Sequence, residues 1–281
     1  MNILFAGFLG LIQGVTEFLP ISSSGHLAIF QNFFGLADAN NMFFDVLLHF
    51  GTFAAVCVAF WSDVKEMVLE FFRFLRDIFS GKKKKSSGTP PPARRMVLLV
   101  IIATLPILVS LFFKDKVEAA MTSTMFIGCA LLVTGSLLYI SDRFRKGRKT
   151  EKNATLLDAL VVGLAQVFAV LPGISRSGTT ISAGLFMGFD RKFAVRFAFL
   201  MSLPVVLGAN ILELKDAIST GIDPSVIPAY IVGVIVSAVS GFFAIRLVRY
   251  LTNKGKFGMF SYYCWVVGFI VIIATLFGFG K

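Results

Sequence analysis

The sequence predicts an all-α polytopic membrane protein with an inverted-topology repeat, two re-entrant helix–turn–helix hairpins and six transmembrane helices. Composition is the first observation. The 281 residues are 56% hydrophobic, and their mean hydropathy is +0.81. Only 15% of the residues are charged, against about 25% in soluble domains. The other two observations are long apolar runs along the whole chain and two polar motifs that interrupt two of these runs.

The two polar motifs repeat the same order of residue types. In each, a glycine and a glutamine precede a proline and a short stretch rich in serine and glycine. The first motif comprises Gly10, Gln13, Glu17, Pro20, Ser22, Ser23, Ser24, Gly25 and His26, and the second comprises Gly163, Gln166, Pro172, Gly173, Ser175, Arg176, Ser177, Gly178, Thr179 and Thr180. Ionisable residues inside a membrane segment indicate a functional site. Paired, interrupted segments in the two halves of a chain point to a binding site near the midplane.

The apolar runs predict the membrane spans, because a helix that crosses a bilayer needs about 20 apolar residues. The predicted spans are 41–61, 97–113, 121–140, 193–212, 227–250 and 259–279. The stretches 2–34 and 155–189 carry the motifs, and each is long enough for two half-helices. Irregular backbone at membrane depth is tolerated only where it is buried in protein or lines a cavity, so we interpret both stretches as re-entrant hairpins.

Basic residues then predict the orientation. The loop 81–95 and the linker 141–153 are rich in Lys and Arg, so both should be cytoplasmic. A tight link at 114–118 and an acidic loop at 213–224 fall outside. Segment 62–79 mixes charged and apolar residues, which predicts an amphipathic helix at the cytoplasmic surface. The halves 1–140 and 154–281 therefore have opposite orientations.

The net charge of +11, from 27 basic and 16 acidic residues, lies mostly in these loops. It is explained by topology, and we expect no nucleic-acid partner. The expected surroundings are the lipid bilayer. The sequence is compatible with a homodimer.

If the hairpins enter from opposite faces, their tips meet near mid-depth. Helix N-termini with Gly, Ser and Thr bind anions, and an arginine adds a fork for phosphate oxygens. We therefore predict a phosphate or pyrophosphate pocket. The predicted substrate-binding residues are Ser22, Ser24, Gly173, Ser175, Ser177, Thr179 and Thr180, and the predicted catalytic residues are Glu17, Ser23, His26 and Arg176.

Several roles for these residues stay open. Glu17, with Gln13 one turn away, could hold a divalent cation, or it could orient or deprotonate a catalytic group. Ser23 is the preferred nucleophile because Glu17 and His26 flank it, and His26 is a candidate acid or base. Serine runs also serve helix packing, and Arg176 with Glu17 could be a structural ion pair. We interpret His49 as a hydrogen-bonded core residue.

The segments 13–26 and 172–180 resemble the BacA/UppP family of undecaprenyl-diphosphatases, as does essentially the whole chain, including 44–46 and 49–52. The family signature of Glu or Gln, three residues and Glu fits Gln13 and Glu17. Its second signature, Pro-Gly-x-Ser-Arg-Ser-x-x-Thr, fits Pro172 to Thr180. The Lys-rich loop 81–95 looks like a variable insertion.

The resemblance implies a bacterial plasma-membrane enzyme that converts undecaprenyl diphosphate to undecaprenyl phosphate, the lipid carrier for cell-wall polymers. It also implies bacitracin resistance, a divalent cation (Mg²⁺ or Ca²⁺) and an active site open to the outer face. Glu17 would serve the metal or act as base, and Ser23 or, in a rival proposal, His26 would be the nucleophile. Arg176 would hold the pyrophosphate, with Ser175 and Thr180 supporting.

A transporter or flippase for polyprenyl phosphate is the alternative function. Inverted repeats with broken helices are typical of transporters, and a midplane pyrophosphate pocket would suit that role. The combination of Glu, Ser, His and Arg exceeds what binding requires, which favours catalysis.

Overall fold

The computed structural model describes residues 2–34, 39–79, 91–144, 147–220 and 224–278, and most of these residues are helical. Across these ranges no strand forms, and the only β-type pairing is an isolated bridge between Lys149 and Phe189. The α-helices are α1 (Ile3–Phe18), α2 (Ser23–Phe34), α3 (Ala39–Ala59), α4 (Trp61–Phe79), α5 (Pro92–Thr104), α6 (Lys114–Met121), α7 (Thr124–Arg143), α8 (Leu156–Phe168), α9 (Arg176–Phe186), α10 (Arg191–Thr220), α11 (Ile227–Asn253) and α12 (Met259–Leu276). The predicted all-α class is confirmed.

Five helical segments in the described ranges are long and apolar enough to cross a membrane, and a sixth follows if one bent pair is a span. The five are Pro92–Met121, Thr124–Arg143, Arg191–Ile211, Pro224–Asn253 and Met259–Leu276. Many large apolar side chains are exposed on these helices, including Phe112, Phe243 and Phe269. Such a surface is stable in lipid and not in water, so the chain is a multi-pass membrane protein.

The bent pair is formed by α3 and α4. The segments Phe43–Ala59 and Trp61–Ile78 meet at an angle of 93°. The predicted span 41–61 corresponds to α3, which together with α4 forms the sixth candidate span. A right-angle turn into a helix with one apolar face is the geometry expected for an interfacial helix, and the surface location of α4 stays a prediction.

The structure differs from the predicted boundaries at two links. A 3-10 segment, Leu105–Phe113, follows α5 and leads directly into α6, so the predicted tight link at 114–118 is helical. Pro106 opens that segment, and its missing N–H favours a local change from α-helical geometry. Lys114 and Glu118 then pair at 3.6 Å across one turn of α6. Likewise α10 continues to Thr220 through most of the predicted loop 213–224.

The basic loop predicted at 81–95 lies largely outside the described residues, and its last part is helical because α5 begins at Pro92. In the linker 141–153, two residues are also outside the described ranges. The assignment of the chain to halves 1–140 and 154–281 stays a prediction.

Each polar motif forms two helices joined by a short turn, and in both motifs a serine caps the start of the second helix. Ser22 precedes α2 and accepts the N–H of Gly25 at 3.2 Å, while Ser175 precedes α9 and accepts the N–H of Gly178 at 3.1 Å. Each serine lies nine positions after its motif glutamine, Gln13 or Gln166. Serine is a preferred N-cap residue, so the repeated sequence produces the same local geometry twice.

The turns require unusual backbone conformations. Gly173 has φ of +88°, and a Cβ there would lie 2.6 Å from that of Ala130. Ser22 has φ of +70°, a conformation that costs a residue other than glycine about 1–2 kcal/mol. Strain of this kind is held in place by surrounding structure and is common at functional sites.

Small residues allow the helices that hold the hairpins to approach closely. A Cβ on Gly10 would overlap the carbonyl group of Gly233, so α1 and α11 meet backbone to backbone. Gly163 packs in the same way against Ala103 of α5. Close contact through small residues is the usual means of helix association in membranes, and here it holds α1 against α11 and α8 against α5.

Several ion pairs lie at the helix ends that the distribution of basic residues predicts to be cytoplasmic. Arg191 at the start of α10 pairs with Asp142 at 2.8 Å, and Lys149 pairs with Asp158 at 2.8 Å. Arg196 pairs with Asp63 of α4 at 2.6 Å. These contacts connect the ends of α7 and the starts of α4, α8 and α10, so the charged residues that predict orientation also hold that end of the bundle together.

Candidate functional site

The two hairpin turns touch each other. A Cβ built on Gly25 would lie 2.9 Å from the Cα of Gly173. The hydroxyl of Ser177 donates to the carbonyl oxygen of Leu19 at 3.3 Å. The sequence expectation that the tips meet is therefore met by direct contact, and the N-termini of α2 and α9 lie at the same place.

Glu17 is the centre of the site. Its Oε2 accepts the hydroxyl of Ser23 at 2.6 Å and the amide of Gln13 at 3.1 Å, while its Oε1 is paired with Nη2 of Arg176. The Glu17 side chain is 7% exposed. The carboxylate thus links residues from both hairpins, and the serine–carboxylate bond is short enough for proton transfer.

His49 of α3 extends this network. Its Nδ1 lies 3.0 Å from Nε2 of Gln13 and 3.9 Å from Oε2 of Glu17. Since Gln13 has two amide protons, it can donate to Glu17 and to an unprotonated Nδ1 together. His49 is therefore hydrogen-bonded, as the sequence interpretation expected, and its partner is Gln13, which also donates to Glu17.

A cavity of about 720 Å³ opens beside this network. Of the predicted site residues, its wall includes Glu17, Ser22, Ser23, Ser24, Ser175 and Arg176. His49 and Gln166 also line it, together with apolar residues of the 3-10 segment, α6 and α10. A polar floor with apolar walls is the shape expected for a ligand with a charged head and a hydrocarbon chain.

The other predicted site residues lie behind the wall, where they hold the turns in place. Gln13 supports Glu17. The carbonyl of Gly173 accepts the hydroxyl of Thr134 at 2.9 Å, and that same hydroxyl accepts the N–H of Ser175 at 3.2 Å. The hydroxyl of Thr180 donates to the carbonyl of Arg176 at 2.9 Å.

Ser177 and Thr179 also lie off the cavity wall. Ser177 lies 3.2 Å from the hydroxyl oxygen of Ser175. Thr179 is buried, and its hydroxyl has no partner among the described residues. The substrate-binding roles of Gly173, Ser177, Thr179 and Thr180 stay predictions. The hydrogen bonds described for Gly173, Ser177 and Thr180 are with other groups of the protein.

His26 bonds to groups other than Ser23 and Glu17. Its Nδ1 is 2.7 Å from the carbonyl oxygen of Ser22, and its Nε2 is 2.9 Å from the hydroxyl of Tyr263 on α12. The two rings are stacked, with centroids 5.7 Å apart. The carbonyl requires a proton on Nδ1, so Nε2 accepts from Tyr263 in the neutral ring. Both nitrogens are thus engaged, and the side chain joins the first turn to α12.

The electrostatics of the site favour an anion. Two helix N-termini meet there, and each has free N–H groups and the positive end of a helix dipole. Arg176 adds a guanidinium that is 25% exposed on the cavity wall. Glu17 offsets one positive charge, and the remaining donors suit the oxygens of a phosphate group.

Comparison with known proteins places this site in a family. The sequence profile described as "Bacitracin resistance protein BacA" matches residues 6–270. The chain belongs to the BacA family. Similar proteins named undecaprenyl-diphosphatase come from Halothermothrix orenii, at 44% identity over 97% of this chain and 98% of the relative, and from Alkaliphilus metalliredigens, at 41% identity over 95% and 97%. Another, from Methanosphaera stadtmanae, is 37% identical over 98% of this chain and 99% of its own length.

In this BacA family member, two of the wall residues to which the sequence analysis gave no site role are His49 and Gln166. His49 carries the signal that identified the others, since it is ionisable and lies within an apolar helix. Gln166 is part of the repeated motif but was not assigned a role. Both residues line the wall beside Glu17 and Arg176.

The described side chains around Glu17 are too few to complete the ligand set of a divalent cation, and the predicted metal role of Glu17 and Gln13 stays a prediction. Among the described residues, no three His, Cys, Asp or Glu side chains cluster as metal ligands. Both oxygens of Glu17 are bonded to Ser23, Gln13 or Arg176, and of the side-chain oxygens of Glu17, Ser23 and Gln13 only the buried Oε1 of Gln13 lacks a partner among the described residues. A hard divalent cation takes six or more oxygen ligands, so most would have to come from a ligand and water.

Proposed function

We propose that this protein is an undecaprenyl-diphosphatase that hydrolyses undecaprenyl diphosphate to undecaprenyl phosphate and inorganic phosphate. The observation that carries the proposal is the 2.6 Å hydrogen bond from Ser23 to Glu17, on the wall of a cavity that also contains Arg176. A nucleophile, a base and an anion-binding group thus share one site. Membership of the BacA family and the names of its relatives support the same activity.

In the first step, Oγ of Ser23 attacks the terminal phosphorus while its proton passes to Glu17. A bond forms between Oγ and phosphorus, and the bond from phosphorus to the bridging oxygen breaks. The bridging oxygen keeps the electron pair and leaves as undecaprenyl phosphate. Arg176 and the N–H groups that begin α2 and α9 stabilise the charge on the transferred phosphoryl group.

In the second step, water cleaves the phosphoserine. Before this step Glu17 gives the proton from Ser23 to the departing undecaprenyl phosphate and is ionised again. Glu17 then takes a proton from the attacking water as the oxygen of that water bonds to phosphorus, the bond from Oγ to phosphorus breaks, and Glu17 passes the proton to Oγ of Ser23 as inorganic phosphate leaves. His26 is the rival nucleophile. Ser23 is preferred because its oxygen lies on the cavity wall and already donates to a carboxylate, whereas both ring nitrogens of His26 are engaged elsewhere.

The divalent cation remains part of the proposal. We propose that Mg²⁺ or Ca²⁺ enters on the diphosphate, which supplies oxygen ligands that the protein lacks. A cation bound in this way would reduce the charge of the substrate. Of the protein oxygens at the site, those of the Glu17 carboxylate and the unpaired Oε1 of Gln13 are chemically the best suited to contact such a cation.

The site would face the outer side of a bacterial plasma membrane. The cavity wall includes Lys114, Glu118 and Met121 of α6, together with Ala209 and Ile211 of α10. Charge places these ends of α6 and α10 outside. Hydrolysis there would return the lipid carrier to cell-wall synthesis and remove the diphosphate that bacitracin sequesters.

Transport of polyprenyl phosphate is the second candidate, and a second cavity favours it. This cavity of about 530 Å³ is almost wholly apolar and lies between α4, α5 and α10. It shares Thr104 and Pro204 with the first cavity. The second cavity thus lies next to the first, where an apolar lipid chain could pass from one to the other along α10.

Phosphate release from a polyprenyl diphosphate by the purified protein in detergent tests the proposal. We expect release with Mg²⁺ or Ca²⁺, loss with chelator, and loss in Arg176→Ala. Arg143→Ala is the matched control, because Arg143 is exposed at the end of α7 and stacks on Tyr139. Absence of release from folded wild-type protein under every condition would overturn the enzyme proposal, and lipid flux without release would replace it with transport.

A further inference from the structure

Gln166 presents an unused carboxamide to the cavity. It lies in the last turn of α8, is 1% exposed and forms part of the cavity wall. Neither its Nε2 nor its Oε1 has a hydrogen-bond partner in the part of the chain that the structure describes. Buried polar groups are nearly always bonded. A carboxamide with both ends unpaired beside a binding cavity therefore indicates a contact with the ligand.

The repeat shows why Gln166 differs from Gln13. Both glutamines lie nine positions before the serine that caps the next helix. Gln13 donates to Glu17, which lies four positions later. Four positions after Gln166 the chain has Val170, which also lines the cavity. In the second half no carboxylate occupies the position that Glu17 has in the first, so the amide remains available to a ligand.

We propose that Gln166 binds the diphosphate of the substrate, with Nε2 donating to an oxygen of the phosphate that stays on the lipid. This inference rests on the proposed diphosphatase activity. In the proposed mechanism, Ser23, Arg176 and the helix N-termini at the hairpin tips contact the phosphate that is attacked. Gln166 lies on the part of the cavity wall that α8 contributes, outside the turn that holds Ser175 and Arg176, so we assign it to the other phosphate. A neutral amide adds a hydrogen bond to the phosphate that stays on the lipid. Because the amide carries no charge, it does not hold the lipid phosphate product by ionic attraction.

Gln166→Met removes both hydrogen-bonding atoms at nearly constant volume. A hydrogen bond to a charged group contributes about 1.5–3 kcal/mol, so we expect KM for a prenyl diphosphate to rise about 10- to 100-fold. We expect kcat to stay within about threefold, since the lost contact is the same before and during the reaction. The melting temperature of the ligand-free protein should be unchanged or higher, because an unpaired buried amide is removed. A purely structural residue would show the opposite pattern, a lower melting temperature with unchanged KM.

Product inhibition identifies which phosphate is bound. In Gln166→Met, the inhibition constant of a prenyl monophosphate should rise in parallel with KM, whereas that of inorganic phosphate should not change. Gln166→Glu should weaken binding further, because a carboxylate repels phosphate. Weaker inhibition by inorganic phosphate alone would overturn the assignment.

Asn210→Leu is the matched control. Asn210 is also a buried amide, 2% exposed, and its Nδ2 lacks a partner among the described residues, but it is not on the cavity wall. We expect its KM to match the wild type. If wild-type protein releases phosphate and Gln166→Met has the same KM, the inference about Gln166 fails alone. If wild-type protein releases none, the proposed function fails first.

Discussion

Ser23 of the first hairpin and Arg176 of the second bind opposite oxygens of one carboxylate, that of Glu17. They also occupy equivalent places, since each is the first residue of its helix and follows the capping serine, Ser22 or Ser175. The repeat therefore supplies one backbone geometry twice and places a different side chain at the same position. In the proposed mechanism, one half contributes the nucleophile and the other contributes the anion-binding group.

The first prediction concerns Glu17. Glu17→Gln keeps the shape but removes the charge that accepts the Ser23 proton, so we expect phosphate release to fall about 10²–10⁴-fold. Loss of the charge also leaves Arg176 without its ion-pair partner, which should lower the melting temperature.

The double variant Glu17→Gln/Arg176→Gln separates the two effects of that change. It removes the unpaired charge, so the melting temperature should recover while phosphate release stays low. Recovery of activity in the double variant would mean that the pair is structural, which is the alternative that the sequence left open.

The second prediction concerns the nucleophile. Attack by Ser23 creates a phosphoserine, which withstands acid, whereas a phosphohistidine does not. We expect an acid-stable ³²P label after rapid quenching of the wild-type reaction with substrate labelled at the terminal phosphate. The label should map to Ser23 and vanish in Ser23→Ala, while Ser136→Ala on α7, remote in sequence from both motifs, keeps it. An acid-labile label lost in His26→Ala would establish the rival mechanism.

The third prediction concerns His26 and Tyr263, which connect the first turn to α12. Tyr263→Phe removes one hydroxyl hydrogen bond, so we expect a loss of about 0.5–1.5 kcal/mol in stability. Turnover should stay within about threefold, or about 0.7 kcal/mol in activation free energy. His26→Asn should lower stability and activity together. Unchanged melting temperature with abolished turnover in His26→Asn would show that the imidazole takes part in the chemistry.

The sequence predicts the spans well where one physical force dominates. The runs 121–140, 227–250 and 259–279 correspond to α7, α11 and α12 with ends that agree within three residues. Burial in lipid sets these lengths. Helix ends that depend on local bonds were predicted poorly. Segment 114–118 was predicted from charge to be a tight link, but it is helical. It follows the 3-10 segment directly, and Lys114 pairs with Glu118 along it.

The sequence predicted which types of residue form the site, but it did not predict most of the contacts between them. The motif order places Glu17, Ser23 and Arg176 together because the two turns meet. The partner of His26 is Tyr263, which lies 237 positions away and outside both motifs. His49 reaches Gln13 from α3 across 36 positions. Contacts of this kind depend on how helices pack, and no local pattern encodes them.

The fourth prediction concerns Gly173. An alanine there would adopt a strained φ, at about 1–3 kcal/mol, and its Cβ would contact Ala130 and Ile127, at about 1–3 kcal/mol more. We expect Gly173→Ala to lower the melting temperature strongly and to abolish phosphate release. Gly7→Ala is the control, since a Cβ on Gly7 meets its nearest neighbour at 3.6 Å. Equal stability of the two variants would contradict the assigned turn geometry.

The fifth prediction concerns orientation and the mouth of the cavity. With the native cysteines Cys57, Cys129 and Cys264 replaced, single cysteines at Glu118 and Lys152 report opposite ends of the molecule. Both positions are exposed. The excess of basic residues at 141–153 should hold that end in the cytoplasm. A membrane-impermeant maleimide should therefore label Glu118→Cys in intact cells, and Lys152→Cys only after permeabilisation.

The same experiment connects orientation with binding, because Glu118 lines the cavity whereas Lys152 does not. A prenyl diphosphate bound in chelator should slow labelling of Glu118→Cys and leave that of Lys152→Cys in permeabilised cells unchanged. Labelling of Lys152→Cys but not Glu118→Cys in intact cells would reverse the proposed orientation. The cavity would then open to the cytoplasm, where it could not serve a substrate presented at the outer face.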